Sequence, residues 1–299
     1  MSRAQKKTTP RRELARNPHF EQVSPEVGEL DEGAFDDAME ADPDAAMAML
    51  ADLTSATDPV LRELARRLAG RVFLDISRRG PSRPRGVGRL VERPYRPDGG
   101  DLDLDASMDA IIDAGGTSAR RHAVDAERLR VRGWVQPDTA LCLLVDRSGS
   151  MGGKPLATSA VAAASVAWRA PSDYSVVAFG KDVVVAKSQD HSTSSEQVVN
   201  AVLSLRGFGT TDLTGALRVA AEQLARSRAG RKVVVLLSDC RSTVEGDHHA
   251  AARALEELVV IAPEGDSDEA EAFSRATGAR LTTAAGPASV ADALARVLS

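Results

Sequence analysis

Two apolar runs, ALCLLVD at 140–146 and KVVVLLSD at 232–239, constrain this chain more than any other feature. Neither alternates apolar with polar residues, so each reads as a strand buried on both faces, as interior strands are in a parallel sheet covered by helices. Each run also ends on an aspartate, Asp146 and Asp239. Open α/β sheets bind their ligands beyond the carboxyl ends of the strands, so both carboxylates fall where chemistry is done.

The neighbouring segments keep the same rhythm. YSVVAF (174–179) and VVVA (183–186) are separated by a turn containing GKD and should form a hairpin, which makes the sheet mixed. LVVIA (258–262) and ARLTT (279–283) supply two more strands. Helical spacing is expected over 155–168, 194–205, 213–224, 247–257, 267–276 and 287–298. Strands alternating with helices predict an α/β fold: a doubly wound, mostly parallel six-stranded sheet with helices on both faces.

Upstream of this main domain, at 138–299, the pattern is weaker. Residues 1–24 are polar, basic and aperiodic and read as a disordered tail. Residues 25–79 read as a helical region, in which Phe35, Met39, Met47, Met49 and Leu50 recur loosely and Leu61, Leu64, Leu68 and Val72 keep near-helical spacing. Residues 80–137 open on a stretch rich in Pro, Gly and Arg and read as linker and connecting elements. They include a short helix carrying Met108, Ile111 and Ile112, capped by Asp105 or Ser107, and a strand at 128–135.

Composition removes several function classes. A net charge of -5 over 299 residues argues against a nucleic-acid binder held by phosphate neutralisation. The only cysteines, Cys142 and Cys240, lie in or at the end of apolar runs, so no disulfide framework is expected and a reducing cytoplasm fits. The basic N-terminus lacks the apolar segment of a secretion signal. The apolar helix AVAAASVAW (160–168) falls short of the roughly 20 residues that span a bilayer, so no membrane role is expected.

Three loops are rich in hard oxygen donors. Asp146-Arg147-Ser148-Gly149-Ser150-Met151 and Ser238-Asp239 follow the two apolar strands, and Gly209-Thr210-Thr211-Asp212 joins two helices. The Asp-x-Ser-x-Ser spacing lets one tight turn aim a carboxylate and two hydroxyls at a point, which suits the near-octahedral oxygen coordination of Mg²⁺. With Thr211 adding a hydroxyl and Asp239 a carboxylate through water, the ion is held largely by neutral groups. An open position then attracts a carboxylate from outside, which is a binding mechanism that needs no bond-making.

DRSGSM after an apolar strand, then TTDLTGAL, then VVVLLSD, resembles the metal-ion-dependent adhesion site of von Willebrand factor type A domains, over roughly residues 138–299. The resemblance implies a Mg²⁺ site, with Mn²⁺ as an alternative, at Asp146, Ser148, Ser150, Thr211 and Asp239. It also implies a sheet with one antiparallel edge strand. One departure is Cys240, where many relatives carry Gly. A helical N-terminal extension ahead of such a domain is similar to the bacterial proteins that work with MoxR-type AAA+ ATPases, to chelatase subunits and to CoxE-like maturation proteins. That implies a non-enzymatic adaptor between an ATPase and a protein partner that supplies an acidic residue.

Rival chemistries fit less well. GSMGGKP has Ser148 where a phosphate loop needs its first Gly, and Lys154 is followed by Pro155. A serine hydrolase using Ser148 with His248 or His249 lacks the Gly-x-Ser-x-Gly elbow, and Asp247 before the histidines reads as a helix cap. DLDLDASMDAIIDAG lacks the Gly and closing Glu of a calcium loop. Cys240 has no second thiol spaced to share a soft metal. A scaffold whose metal site has decayed is a further alternative.

Overall fold

The computed structural model describes residues 8–78, 89–94, 101–115, 129–135, 139–147, 152–205, 207 and 209–298. Five helices come first: α1 (Arg11–Leu14), α2 (Phe20–Val23), α3 (Glu32–Ala41), α4 (Pro43–Leu53) and α5 (Pro59–Arg78). Asp31 and Asp42 begin α3 and α4 by accepting from the amides of Ala34 and Ala45, each at 3.0 Å. These carboxylates satisfy amides that have no partner inside the helix.

The tail expected over 1–24 is corrected where residues are described. Leu14, Phe20 and Val23 are buried, and Thr9 bonds through its backbone to Ser55 and Thr57. Three apolar residues spread over ten positions leave no periodic trace, yet Leu14 fills the core from α1, and Phe20 and Val23 fill it from α2. Of the connecting elements expected over 80–137, the short helix and the strand at 128–135 are observed, and residues 82–138 cluster as a unit of their own. Strands β1 (Arg89–Pro94), β2 (Asp101–Leu102) and β3 (Arg130–Val135) make an antiparallel sheet in the order β1-β3-β2, with helix α6 (Leu104–Gly115) between the last two in sequence. Asp103, rather than Asp105 or Ser107, caps α6, accepting from the Ala106 amide at 3.1 Å. Ser107 instead accepts from the Arg130 amide at 2.9 Å.

The other unit joins residues 1–81 to 139–299. Its second part runs β4 (Thr139–Asp146), α7 (Gly153–Arg169), β5 (Tyr174–Phe179), β6 (Val183–Lys187), α8 (Ser195–Leu203), α9 (Leu213–Ala225), β7 (Arg231–Leu237), α10 (His248–Arg253), β8 (Glu257–Pro263), α11 (Asp268–Thr277), β9 (Arg280–Ala284) and α12 (Pro287–Leu298). The sheet order is β6-β5-β4-β7-β8-β9, parallel throughout except for β6, which pairs antiparallel with β5 at the edge. The mixed α/β fold expected from the sequence is therefore the one observed.

Strand alternation divides the core. Leu141, Leu143, Val145, Val233 and Val235 face a cluster shared with α7, α8, α12 and the N-terminal helices. Ala140, Cys142, Leu144, Val234 and Leu236 face α9, α10 and α11. Because side chains on a strand point alternately to opposite faces, covering both faces requires an unbroken apolar run, as β4 and β7 have. The N-terminal helices extend the first cluster: α4 and α5 pack on α7, and both also reach α12.

Candidate functional site

Parallel pairing of β4 with β7 sets Val145 opposite Leu237, so the residues that follow, Asp146 and Ser238, leave the sheet side by side. Ser238 Oγ donates to Asp146 Oδ2 at 2.6 Å and accepts the Cys240 amide at 2.9 Å. Asp239 Oδ1 accepts the Arg241 amide at 3.0 Å, while the Arg241 guanidinium lies 3.5 Å from Asp239 Oδ2 and holds Asp266 at 2.9 and 2.5 Å. Asp146 and Asp239 line one cavity of about 330 Å³, together with Lys154, Thr158, Ile261 and Ala262.

Cys240 is the one non-glycine among the described residues with positive φ, at 65°. Left-handed backbone is costly for a residue with a Cβ, which explains why Gly suits this place. The side chain is buried. Burial and the charges of Asp239 and Asp146 push its thiol far up from the ordinary range, so it stays protonated.

The Thr211 loop is tied to the same end of the sheet. Thr211 is buried; its amide donates to Thr243 Oγ1 at 2.8 Å, and its carbonyl accepts the amides of Thr243 and Val244 at 3.1 and 3.3 Å. Asp212 Oδ1 accepts the Gly215 amide at 2.8 Å and caps α9. On the other side, the Asp212 amide donates to the Gly180 carbonyl at 2.9 Å. Arg147 is held beside it: its amide donates to Phe179 O at 2.8 Å and its guanidinium to Asp182 O at 3.0 Å. A Cβ built on Gly180 would sit 3.4 Å from both Arg147 Cγ and Thr210 O, so two loops close on the β5–β6 turn.

Asp146 and Asp239 thus share a cavity, and Thr211 sits in an adjoining loop without lining it. Ser148 and Ser150 lie outside the described residues. Among the described residues no group of three or more His, Cys, Asp or Glu gathers as a metal cluster. Ser238 is legible in the sequence as a strand-end oxygen donor but not as the partner of Asp146, and Arg241 escapes sequence reasoning, because these roles arise from strand pairing and from a contact with Asp266. The rings of His248 and His249 lie tilted against each other at 4.4 Å; His248 stacks on Phe273 at 5.9 Å and His249 lies tilted against it at 5.7 Å, with Asp247 capping α10 through the Ala250 amide. No helix among the described residues is long and apolar enough to cross a membrane.

Two carboxylates stand at the ends of adjacent parallel strands, within a region that matches a known family. Residues 140–277 match the von Willebrand factor type A domain. Solved structures similar to the type A region include the vWF domain of the type V pili tip protein Mfa5 from Porphyromonas gingivalis, at 12% identity and TM-score 0.46, covering 55% of this chain and 96% of that one. A von Willebrand factor type A structure from Catenulispora acidiphila is similar at 16% identity and TM-score 0.43; 55% of this chain is covered, and this chain spans 42% of that one. Manganese-loaded Plasmodium vivax TRAP protein follows at 19% identity and TM-score 0.41, covering 53% of this chain and 72% of that one. No match was found among curated proteins.

Proposed function

We propose that the type A region is a divalent-cation-dependent protein-interaction module. Asp146, Ser148, Ser150 and Thr211 would hold Mg²⁺, with Asp239 as the supporting carboxylate; Mn²⁺ suits the same oxygen donors. When bound, the cation supplies an electrophilic point for a partner's carboxylate. The chain's own groups do the rest: Ser238 fixes Asp146, Arg241 fixes Asp239, and the cavity beside them leaves room for a side chain. The observation that carries this reading is the pair Asp146 and Asp239 facing one cavity beyond the carboxyl ends of β4 and β7.

The activity proposed is binding rather than turnover. The partner class is a protein with an acidic recognition residue, and the setting is a cytoplasmic adaptor for a MoxR-type AAA+ ATPase, as the sequence resemblance implies. Titration of the full chain with Mg²⁺ and Mn²⁺ tests the site, and capture of an AAA+ partner with and without EDTA tests the role. Asp146→Ala should abolish both cation heat and capture. A wild-type chain that takes up neither cation would establish the decayed-scaffold alternative instead.

A further inference from the structure

Helix α6 is fastened along one side. Asp103 caps it through the Ala106 amide at 3.1 Å, Ser107 is buried and accepts the Arg130 amide at 2.9 Å, and Ala110 is buried as well. These positions are spaced by four and then three, so they share one side of the helix, and the helix packs on β3.

Away from that side the helix is apolar. Leu104 is 59% exposed, Met108 45% and Ile112 60%, although residues of these types usually end inside a fold. They stand four positions apart, so they form one ridge of the i±4n row, about 12 Å long. Ridges of that row are the ones that pack most often into the grooves of another helix. A single exposed apolar residue needs no explanation, but three in one row make a patch, and such patches mark interaction surfaces.

Charge selects the partner. Asp105 and Asp109 are exposed and follow Leu104 and Met108 by one position each, which sets both carboxylates along one flank of the ridge. The helix contains no lysine or arginine, and its last turn has no cation to complement the helix dipole. Like charges four positions apart repel, so this pair costs α6 stability instead of adding to it. A second copy presenting the same face would set carboxylates against carboxylates, whereas a cationic surface would relieve them.

We propose that this face of α6 is a docking surface for a basic amphipathic helix of another protein. The apolar row of that helix packs on Leu104, Met108 and Ile112, and its lysines or arginines meet Asp105 and Asp109. The proposal is independent of the cation reading of the type A region.

The test measures the full chain by fluorescence anisotropy against two labelled amphipathic helical peptides, one of leucine and lysine and one with every lysine replaced by glutamate. The basic peptide should bind and the acidic one should not. Met108→Ala with Ile112→Ala should weaken the basic peptide by about 10-fold or more, because both remove apolar area from the contact. Asp105→Lys with Asp109→Lys should reverse the preference. Asp36→Lys with Asp37→Lys, at exposed positions of α3, changes the net charge equally and should leave binding unchanged. No binding of the basic peptide, equal binding of the two peptides, or equal loss in the α3 variant overturns the proposal. So does a lowered melting temperature in Met108→Ala with Ile112→Ala, which would show the chain itself covering the face. A wild-type dimer that the same variant dissociates would place a second copy there and overturns it too.

Discussion

The hydroxyl of Ser238 donates to the carboxylate of Asp146 across 2.6 Å, joining the ends of two strands whose residues are 92 positions apart. The same hydroxyl accepts the amide of Cys240, so one buried oxygen ties the end of β4 to the turn after β7. Asp146 therefore has a defined direction before any ligand arrives.

Ser238→Ala removes a donor from Asp146 and leaves the buried Cys240 amide without its acceptor. The expected cost is about 1–3 kcal/mol, since an unsatisfied buried donor loses its full hydration. Urea denaturation measures it. A change below about 0.5 kcal/mol would mean that water takes over both bonds.

Cys240 offers a comparison between two variants. Cys240→Gly and Cys240→Ala both lose the buried sulfur, but only the glycine relieves the left-handed backbone at φ 65°. The Gly variant should be more stable than the Ala variant by about 1 kcal/mol. Equal stabilities would show that the backbone at this position is not held in the left-handed region in solution.

Asp52 should give a pH dependence of definite sign. Burial raises its carboxyl above the ordinary range, partly offset by the bond from the Gly153 amide and reinforced by Glu13. The folded state then binds the proton more tightly than the unfolded chain. The stability linked to that proton is complete below the unfolded pKa and is lost as pH rises through the folded value. Asp52→Asn does not titrate, so its stability relative to wild type should rise as pH increases above the ordinary aspartate value of about 4. Denaturation curves of the two proteins across that rise decide the matter; a constant difference contradicts the assignment.

Phe20 tests whether the N-terminal helices belong to the sheet's own core. The ring is fully buried in the cluster that includes α7 and α12. Phe20→Ala should cost about 3–5 kcal/mol and lower the transition that melts the sheet. If circular dichroism shows an early partial transition while the sheet melts as before, the helical layer unfolds separately.

The sequence by itself determined the sheet. Unbroken apolar runs at β4 and β7 announced interior strands, the short turn between β5 and β6 announced a hairpin, and Asp247 announced the cap of α10. It also placed Asp146 and Asp239 at strand ends, because side-chain period and run length are local properties that composition can carry. What only the tertiary structure decided is which distant groups meet. Leu14, Phe20 and Val23 read as a polar tail until a core received them, and the strand expected at 128–135 had no partner until β1 and β2 paired with it. The bond between Ser238 and Asp146 spans 92 positions, that from Gly153 to Asp52 spans 101, and that from Ala288 to Asp44 spans 244. Such pairs leave no periodic signal, since each partner is locally an ordinary serine, glycine, alanine or aspartate. Their energy comes from burial and alignment that exist only after the sheet and its helices have packed.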